Sequence, residues 1–421
     1  MFYYRLISIF MTLMFLASCG PGLYLKEKTT LEELFLSHPI IQNKLDSFTQ
    51  YEAQVIYIQI TRDKHNKPHF KTFKWNTDSQ YYYYPASTVK MPAALIAVEK
   101  INQLALAHPG LNLFTPMKID SIRPPQSAVL EDISSWNRAA SIGQYLKKIF
   151  IVSDNDAFNR LYEFLGQAYL NARLKTLGYR NTHIIHRLDA PQFNYQSNKY
   201  TNPVHFFDED RTYFNQEEQY NPDDVRVGPL RSIRKGDGYL SGDSLVRQPF
   251  DFGYKNFFSL EDMSGMVKNI FFHEYIPEKE KFNITPDQLK YIRKSMSTLP
   301  RESHYPTYDT TYHDGYAKFI MVGGTRDTVP GHIRIFNKAG WAYGYLTDAA
   351  YIVDFKNKTE FILAATINTN TDGIFNDGIY QYESLGLPYL NRLGTLIYQY
   401  ELRRERKYKP DLDHFRFDQL P

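Results

Sequence analysis

The sequence predicts an α+β fold of two lobes: an antiparallel sheet flanked by N- and C-terminal helices, and a mostly helical block from about 87 to 308. Two observations carry this. Strand-like segments fall at both ends of the chain, 53–60 and 69–75 before the block and 332–336 and 349–355 after it. Between them, apolar residues recur mainly at helical spacing. With 43% hydrophobic residues, a well-packed core is available. The 34 Tyr and 29 Phe follow no spacing that suggests a cofactor box, so they count as packing residues. No internal repeat or long low-complexity tract interrupts the chain.

The chain opens with a targeting segment, 1–18. A single charge, Arg5, precedes an apolar run from Leu6 to Ala17 broken only by Ser8 and Thr12. Such a run is too short to span a membrane comfortably and has the form of a signal-peptide core. It ends in Leu16-Ala17-Ser18-Cys19-Gly20, which resembles the lipobox of bacterial lipoproteins, whose cysteine is lipidated and becomes the new N-terminus. Cys19 is the only cysteine, so this resemblance also accounts for an unpaired thiol in an exported chain. The alternative is a plain signal peptide with a chance cysteine. The resemblance implies a disulfide-free protein held on a bacterial membrane, periplasmic or at the cell surface. Gly20 after the cysteine resembles the outer-membrane sorting pattern. A linker, 19–30, then leads into one domain, 31–405, and a C-terminal tail, 406–421.

Within the domain, Thr30 to Leu45 has helical spacing with Pro39 as a break. The strand candidates 53–60 and 69–75 flank turn signals from Asp63 to Pro68. A helix starts at Ser87 and runs to about Leu104, with Pro92 near its first turn, where a missing N–H costs least. Ser134 to Leu174 reads as helical. From about 198 to 257 lies an insertion, too aromatic for a disordered tail, expected to pack beside the mouth of any site. Helical patterning resumes at 260–272 and 286–299. The basic stretch Arg403 to Lys409 is expected to be a solvated helix end.

Three short boxes carry chemistry. In Tyr84-Pro85-Ala86-Ser87-Thr88-Val89-Lys90, Ser87 and Lys90 lie about one helical turn apart on one face. A serine hydroxyl needs a base within reach, and a lysine serves as one only when burial or neighbouring positive charge lowers its pKa. The apolar run Ala93-Ala94-Leu95-Ile96-Ala97-Val98 favours such burial. Alone, the pair reads first as a capping serine and a solvated lysine, and only the other boxes change that. Ser153-Asp154-Asn155 alone is a turn or cap. Phe336-Asn337-Lys338-Ala339-Gly340-Trp341 places a cation and a close-approach glycine on one strand.

Together and in this order, the boxes resemble the serine β-lactamase and penicillin-binding-protein superfamily, and within it most closely class A β-lactamases. The resemblance runs from about Leu31 to Arg403 and makes 31–405 a class A β-lactamase-like catalytic domain. It implies that Ser87 is acylated and that Lys90 is the base or relay. Ser153 would pass a proton to the leaving nitrogen, Asn155 would hold the substrate amide and Lys90, and Lys338 would supply charge for a substrate carboxylate. The backbone N–H groups of Ser87 and Trp341 would form the oxyanion hole beside Gly340. Two departures stand out. Ala339 occupies a position where the family has Thr or Ser, removing a hydroxyl worth about 1–2 kcal/mol to a substrate carboxylate. In Arg187-Leu188-Asp189-Ala190-Pro191-Gln192, which resembles the start of the family's omega-shaped loop, Gln192 falls where the deacylating glutamate is expected. An amide can orient water but cannot take its proton. Asp208, Glu209 or Asp210 entering from the insertion is the alternative base.

The resemblance implies a serine acyl-hydrolase that opens a β-lactam or related amide through an ester at Ser87. A D-Ala-D-Ala peptidase, penicillin-binding protein or esterase with slow deacylation is the second reading, and a non-catalytic binder the third. The substrate would be a small β-lactam or a cell-wall peptide, the protein a monomer. No cofactor is expected. His183 and His186 have H-x-x-H spacing, but no third ligand lies near in sequence, so no metal is expected. Lys+Arg 49 against Asp+Glu 46 gives +3, no nucleic-acid footprint.

Overall fold

The computed structural model describes residues 30–38, 41–43, 47–209 and 211–417. The targeting segment, Cys19 and Asp210 lie outside the described residues.

Five strands form the main sheet: β1 (Gln54–Arg62), β2 (Pro68–Trp75), β3 (Ile333–Ala342), β4 (Tyr345–Asp354) and β5 (Thr359–Asn368). Their spatial order is β3-β4-β5-β1-β2, and every pairing is antiparallel. The two ends of the chain therefore meet where β1 pairs with β5, Tyr57 opposite Leu363. β4 and β5 are buried along their whole length, as strands covered on both faces must be. Alternation sorts their side chains. Ile56, Ile58, Phe336, Tyr351 and Ile362 face the helical lobe, while Val55, Tyr57, Ile335, Ile352 and Leu363 face the terminal helices. On the second face pack α1 (Thr30–Leu36), through Leu31 and Phe35, and the C-terminal helix through Leu390, Leu393, Leu396 and Ile397.

The helical lobe surrounds α2 (Lys90–Ala105), whose residues 90–101 are all buried, as expected of a helix apolar on every side. A single 3-10 turn, Ala86–Val89, precedes it. The expected helical stretch 134–174 is shorter at its start and divided: α3 (Ile142–Val152), α4 (Asn155–Leu165) and α5 (Gln167–Thr176). Helicity begins only after Ser141, whose hydroxyl caps α3 through the Gln144 N–H. The breaks fall at Ser153, left-handed at φ 61, and at Gly166, φ 74. The lobe is completed by α6 (Leu260–Phe271), α7 (Pro286–Ser297) with a Thr285–Gln288 capping box, and the approach to the sheet through 300–331. The C-terminal helix is α8 (Leu387–Arg403).

The 198–257 segment is built of short strands. Val204–Phe207 pairs with Met117–Ile119 and Thr212–Gln216, while Phe252 and Phe257 enter a separate aromatic cluster with Tyr82, Tyr83, Tyr84, Tyr345 and Phe375. Buried Lys235 meets Glu52 at 2.7 Å, and the Tyr345 hydroxyl donates to the same carboxylate, which fastens the segment to the end of the sheet. The basic stretch after α8 is not simply solvated. Glu401, 0% exposed, accepts hydrogen bonds from Tyr57, Arg404 and Arg406, because a buried carboxylate is stable only when its oxygens are paired.

Candidate active site

A cleft of about 820 Å³ opens between the two lobes. Ser87, Ser153, Asn155, Gly340 and Trp341 all line it, so the three sequence boxes converge on one space. Lys90 and Lys338 lie at its floor, 0% and 1% exposed.

Each piece is held by local structure. β3 is the edge strand of the sheet, so its outer backbone groups face away from β4 with no sixth strand beside them among the described residues. Gly340 sits against the turn that carries Ser87. A Cβ built on it would lie 2.5 Å from the Ser87 backbone nitrogen and 2.9 Å from that of Thr88, closer than any side chain tolerates. Glycine here permits the approach of β3 to the Ser87 N–H. Asp154 caps α4 through the Ala157 N–H at 2.8 Å, leaving Ser153 and Asn155 on either side of the α3–α4 break.

The polar network runs through Ser153. Lys90 Nζ donates to the Ser153 carbonyl, to Ser153 Oγ at 3.2 Å and to Asn155 Oδ1 at 2.6 Å. Lys338 Nζ lies 2.8 Å from the same Ser153 Oγ and 2.6 Å from the Ala339 carbonyl oxygen. A hydroxyl has one proton and two lone pairs, so it can mediate proton exchange between two amines when one of them is neutral. Both lysines are disposed to lose their proton. Burial pushes Lys90 well below the usual lysine range, and the positive charge of Lys338 pushes it further. Burial brings Lys338 down to about 7, against the opposing pull of Asp348. Asp348 is itself held beneath the strand by Asn337 Nδ2 and the N–H groups of Phe319 and Ile320.

The loop after Arg187 is clamped at both ends. Arg187 forms a buried pair with Glu163 at 3.0 Å, and its N–H donates to Asn198 Oδ1 at 2.9 Å. Asn159 brackets Leu188 by accepting from its N–H and donating to its carbonyl, at 2.8 and 2.9 Å. This fixes Asp189, left-handed at φ 50, in the cleft wall with Oδ2 3.4 Å from Asn155 Nδ2. Gln192 lies elsewhere. It is exposed and outside the cleft lining, while its neighbours Ala190, Pro191 and Phe193 are in it. Position along the loop does not decide which side chain faces inward. Among the described residues Asp189 is the one carboxylate that lines the cleft, and neither Asp208 nor Glu209 does. A signal for it was present, since Asp189 is the only carboxylate between Arg187 and Asn198.

Several cleft residues had no sequence signal: Tyr254, Lys255, Tyr316, Phe319 and Tyr343. Asn256 accepts from the N–H groups of Ile185 and His186 at 2.7 and 3.1 Å, which ties the 198–257 segment to the start of the loop. His183 and His186 do not form a metal pair. His183 accepts from the Val227 N–H and bonds the Lys255 carbonyl, and His186 bonds the Arg187 carbonyl and stacks on Tyr84. Among the described residues no cluster of three or more His, Cys, Asp or Glu could hold a metal.

Residues 40–212 match the Beta-lactamase enzyme family. The matched span holds Ser87, Lys90, Ser153, Asn155 and Asp189 and stops before Lys338. With the sheet order and the helical lobe described above, the fold is α+β and β-lactamase/transpeptidase-like. Among solved structures, PBP-A is similar at 14% identity and a TM-score of 0.45, over 86% of this chain and 96% of that one. A class A β-lactamase from Clostridium kluyveri DSM 555 is similar at 14% identity and a TM-score of 0.43, over 86% and 98%. A β-lactamase from Burkholderia phymatum is similar at 12% identity and a TM-score of 0.46, over 88% and 100%. No curated protein matches the sequence.

Proposed function

We propose that the protein is a serine acyl-hydrolase of the class A β-lactamase type, opening a β-lactam or related amide through an ester at Ser87. The observation that carries the reading is the placement of Ser153 Oγ between Lys90 Nζ and Lys338 Nζ on the floor of the cleft that Ser87 lines. A neutral Lys90 takes the Ser87 proton as Oγ attacks the carbonyl carbon. The developing oxyanion is met by the Ser87 N–H and the N–H of Trp341 on the exposed edge of β3. The proton then passes through Ser153 Oγ to the leaving nitrogen. Lys338, when charged, draws the substrate carboxylate to that side. Asp189 is the general base for the water that releases the acyl group, replacing the role the sequence placed at position 192. A D-Ala-D-Ala peptidase remains the second reading, favoured by the exposure of Asp189, which lets solvent compete for its carboxylate.

Acylation should follow a bell-shaped pH profile. Its second-order rate constant reports the free enzyme, so it rises as Lys90 loses its proton and falls as pH passes about 7, where Lys338 loses its charge. The two apparent values belong to the coupled pair. Lys338→Arg keeps a permanent charge and is expected to remove the falling limb. A descending limb unchanged in that variant, measured with a penicillin from pH 5 to 9, would contradict the role given to Lys338.

The protein is further proposed to act as a monomer anchored to a bacterial membrane through Cys19, on the strength of the lipobox-like sequence. No described helix is long and apolar enough to cross a membrane. Cys19→Ser is expected to move the chain from the membrane to the soluble fraction on cell fractionation. Retention in the membrane would sink the anchor.

A further inference from the structure

The cleft holds a cation that the chemistry above does not use. Lys255, from the 198–257 segment, lines the same space as Ser87. Its ammonium lies 5.3 Å from the ring centroid of Tyr343 and 6.0 Å from that of Phe250. No carboxylate forms an ion pair with it among the described residues. Its backbone is fixed: the Lys255 N–H donates to the Phe252 carbonyl at 2.9 Å, and its carbonyl meets His183 Nε2 at 2.9 Å. The neighbouring Asn256, 0% exposed, is bonded to the backbone of 185–186. A lysine on so fixed a backbone, resting on aromatic faces and open to the cleft, is placed to meet an incoming anion.

β3 measures where that anion would sit. Gly340 touches the Ser87 turn, Lys338 lies two residues before it, and Tyr343 three residues after it. At about 3.4 Å per strand residue, Lys338 is displaced from the Ser87 level by roughly 7 Å, while Tyr343, at φ 51, stands in the hairpin turn just past the end of β3 on the other side. The ring of Tyr343 also packs on Tyr84, 4.9 Å away, beside the nucleophile's own segment. Lys338, bonded to Ser153 and Ala339, and Lys255, which reaches Tyr343 from the 198–257 segment, thus lie on opposite sides of the Ser87 level.

We propose that Lys255 is a specificity residue that binds a carboxylate at the end of the substrate opposite the Lys338 end, so that this site prefers substrates with an anionic group on the acyl portion. The inference rests on the acyl-hydrolase reading above. Lys338 draws the carboxylate on the leaving-group side, and Lys255 selects the acid on the acyl side. Lys255 is half-buried against the half-buried rings of Tyr343 and Phe250, which makes a pair there stronger than one at the open surface.

The test compares two penicillins with one nucleus, one with a carboxylate on its acyl side chain and one without. Acylation rate constants are measured on the wild-type protein, Lys255→Met and Lys255→Arg. The wild type is expected to favour the dianionic compound by about tenfold, the size of a moderate charge-pair coupling. The ratio should fall to about one in Lys255→Met and recover in Lys255→Arg. An unchanged ratio in Lys255→Met overturns the inference while leaving the acyl-hydrolase reading intact. Equilibrium binding of the same pair to Ser87→Ala and to Ser87→Ala/Lys255→Met covers the case in which no acyl-enzyme forms. Tighter binding of the dianionic compound that depends on Lys255 supports the inference by itself. Equal binding of the two compounds, or binding of neither, overturns it.

Discussion

Asp189→Asn is expected to leave the protein trapped as its acyl-enzyme. Deacylation should slow by on the order of 10²–10³-fold, the usual contribution of a positioned general base, while acylation changes only a few-fold. The asymmetry follows from the geometry. The asparagine carbonyl can still accept from Asn155 Nδ2, so the Lys90–Asn155–Asp189 chain keeps its shape, but an amide cannot take a proton from water. The measurement is the lifetime of the penicillin adduct by intact mass, with wild type, Asp189→Asn and Gln192→Ala in parallel. A slowed Gln192→Ala beside an unaffected Asp189→Asn would return the role to position 192 and make Asp189 a loop residue only.

Lys90→Met is expected to cut acylation by on the order of 10³-fold or more. The substitution removes the base one turn from Ser87 and one of the two amines on Ser153 Oγ, with little change in volume. Stability should move in two opposing directions. Replacing a fully buried polar amine by an apolar side chain is favourable, whereas leaving the Asn155 and Ser153 oxygens without their donor costs about 1–3 kcal/mol each. Thermal unfolding therefore serves as the control: acylation lost with a Tm within several degrees of wild type assigns the effect to chemistry. Acylation within about tenfold of wild type would mean that another group deprotonates Ser87.

The parts of this architecture that were legible in the sequence are those encoded locally. β1 and β2 announced themselves by β-branched and alternating residues, and the Ser87 helix by its apolar run, because burial of these elements depends on their own side chains. Ser87, Lys90, Ser153 and Lys338 could be placed because each belongs to a short box with a fixed local geometry. The 187–198 loop obeys no period. Its inward-facing side chain is selected by the positive φ at Asp189 and the Asn159 clamp, which are set by contacts distant in sequence, and counting therefore landed on Gln192. Lys255 and Tyr343 meet only because two segments far apart in the chain share one aromatic cluster, and no local pattern signals that. Glu401 escaped for a similar reason: its partners are Tyr57 on β1 and two arginines beyond the end of its own helix.

The most direct test of covalent catalysis at Ser87 is a time course of intact mass. The soluble chain after Cys19 is mixed with a penicillin, alongside Ser87→Ala, with peptide mapping of any adduct. The expected result is a mass gain equal to the whole drug, located on the peptide containing Ser87, absent from Ser87→Ala, and decaying as hydrolysed drug accumulates. An adduct that forms on Ser87 and does not decay would support the penicillin-binding reading over hydrolysis. No adduct and no drug consumption by the wild type, or an adduct that persists in Ser87→Ala, would contradict acylation at Ser87 outright.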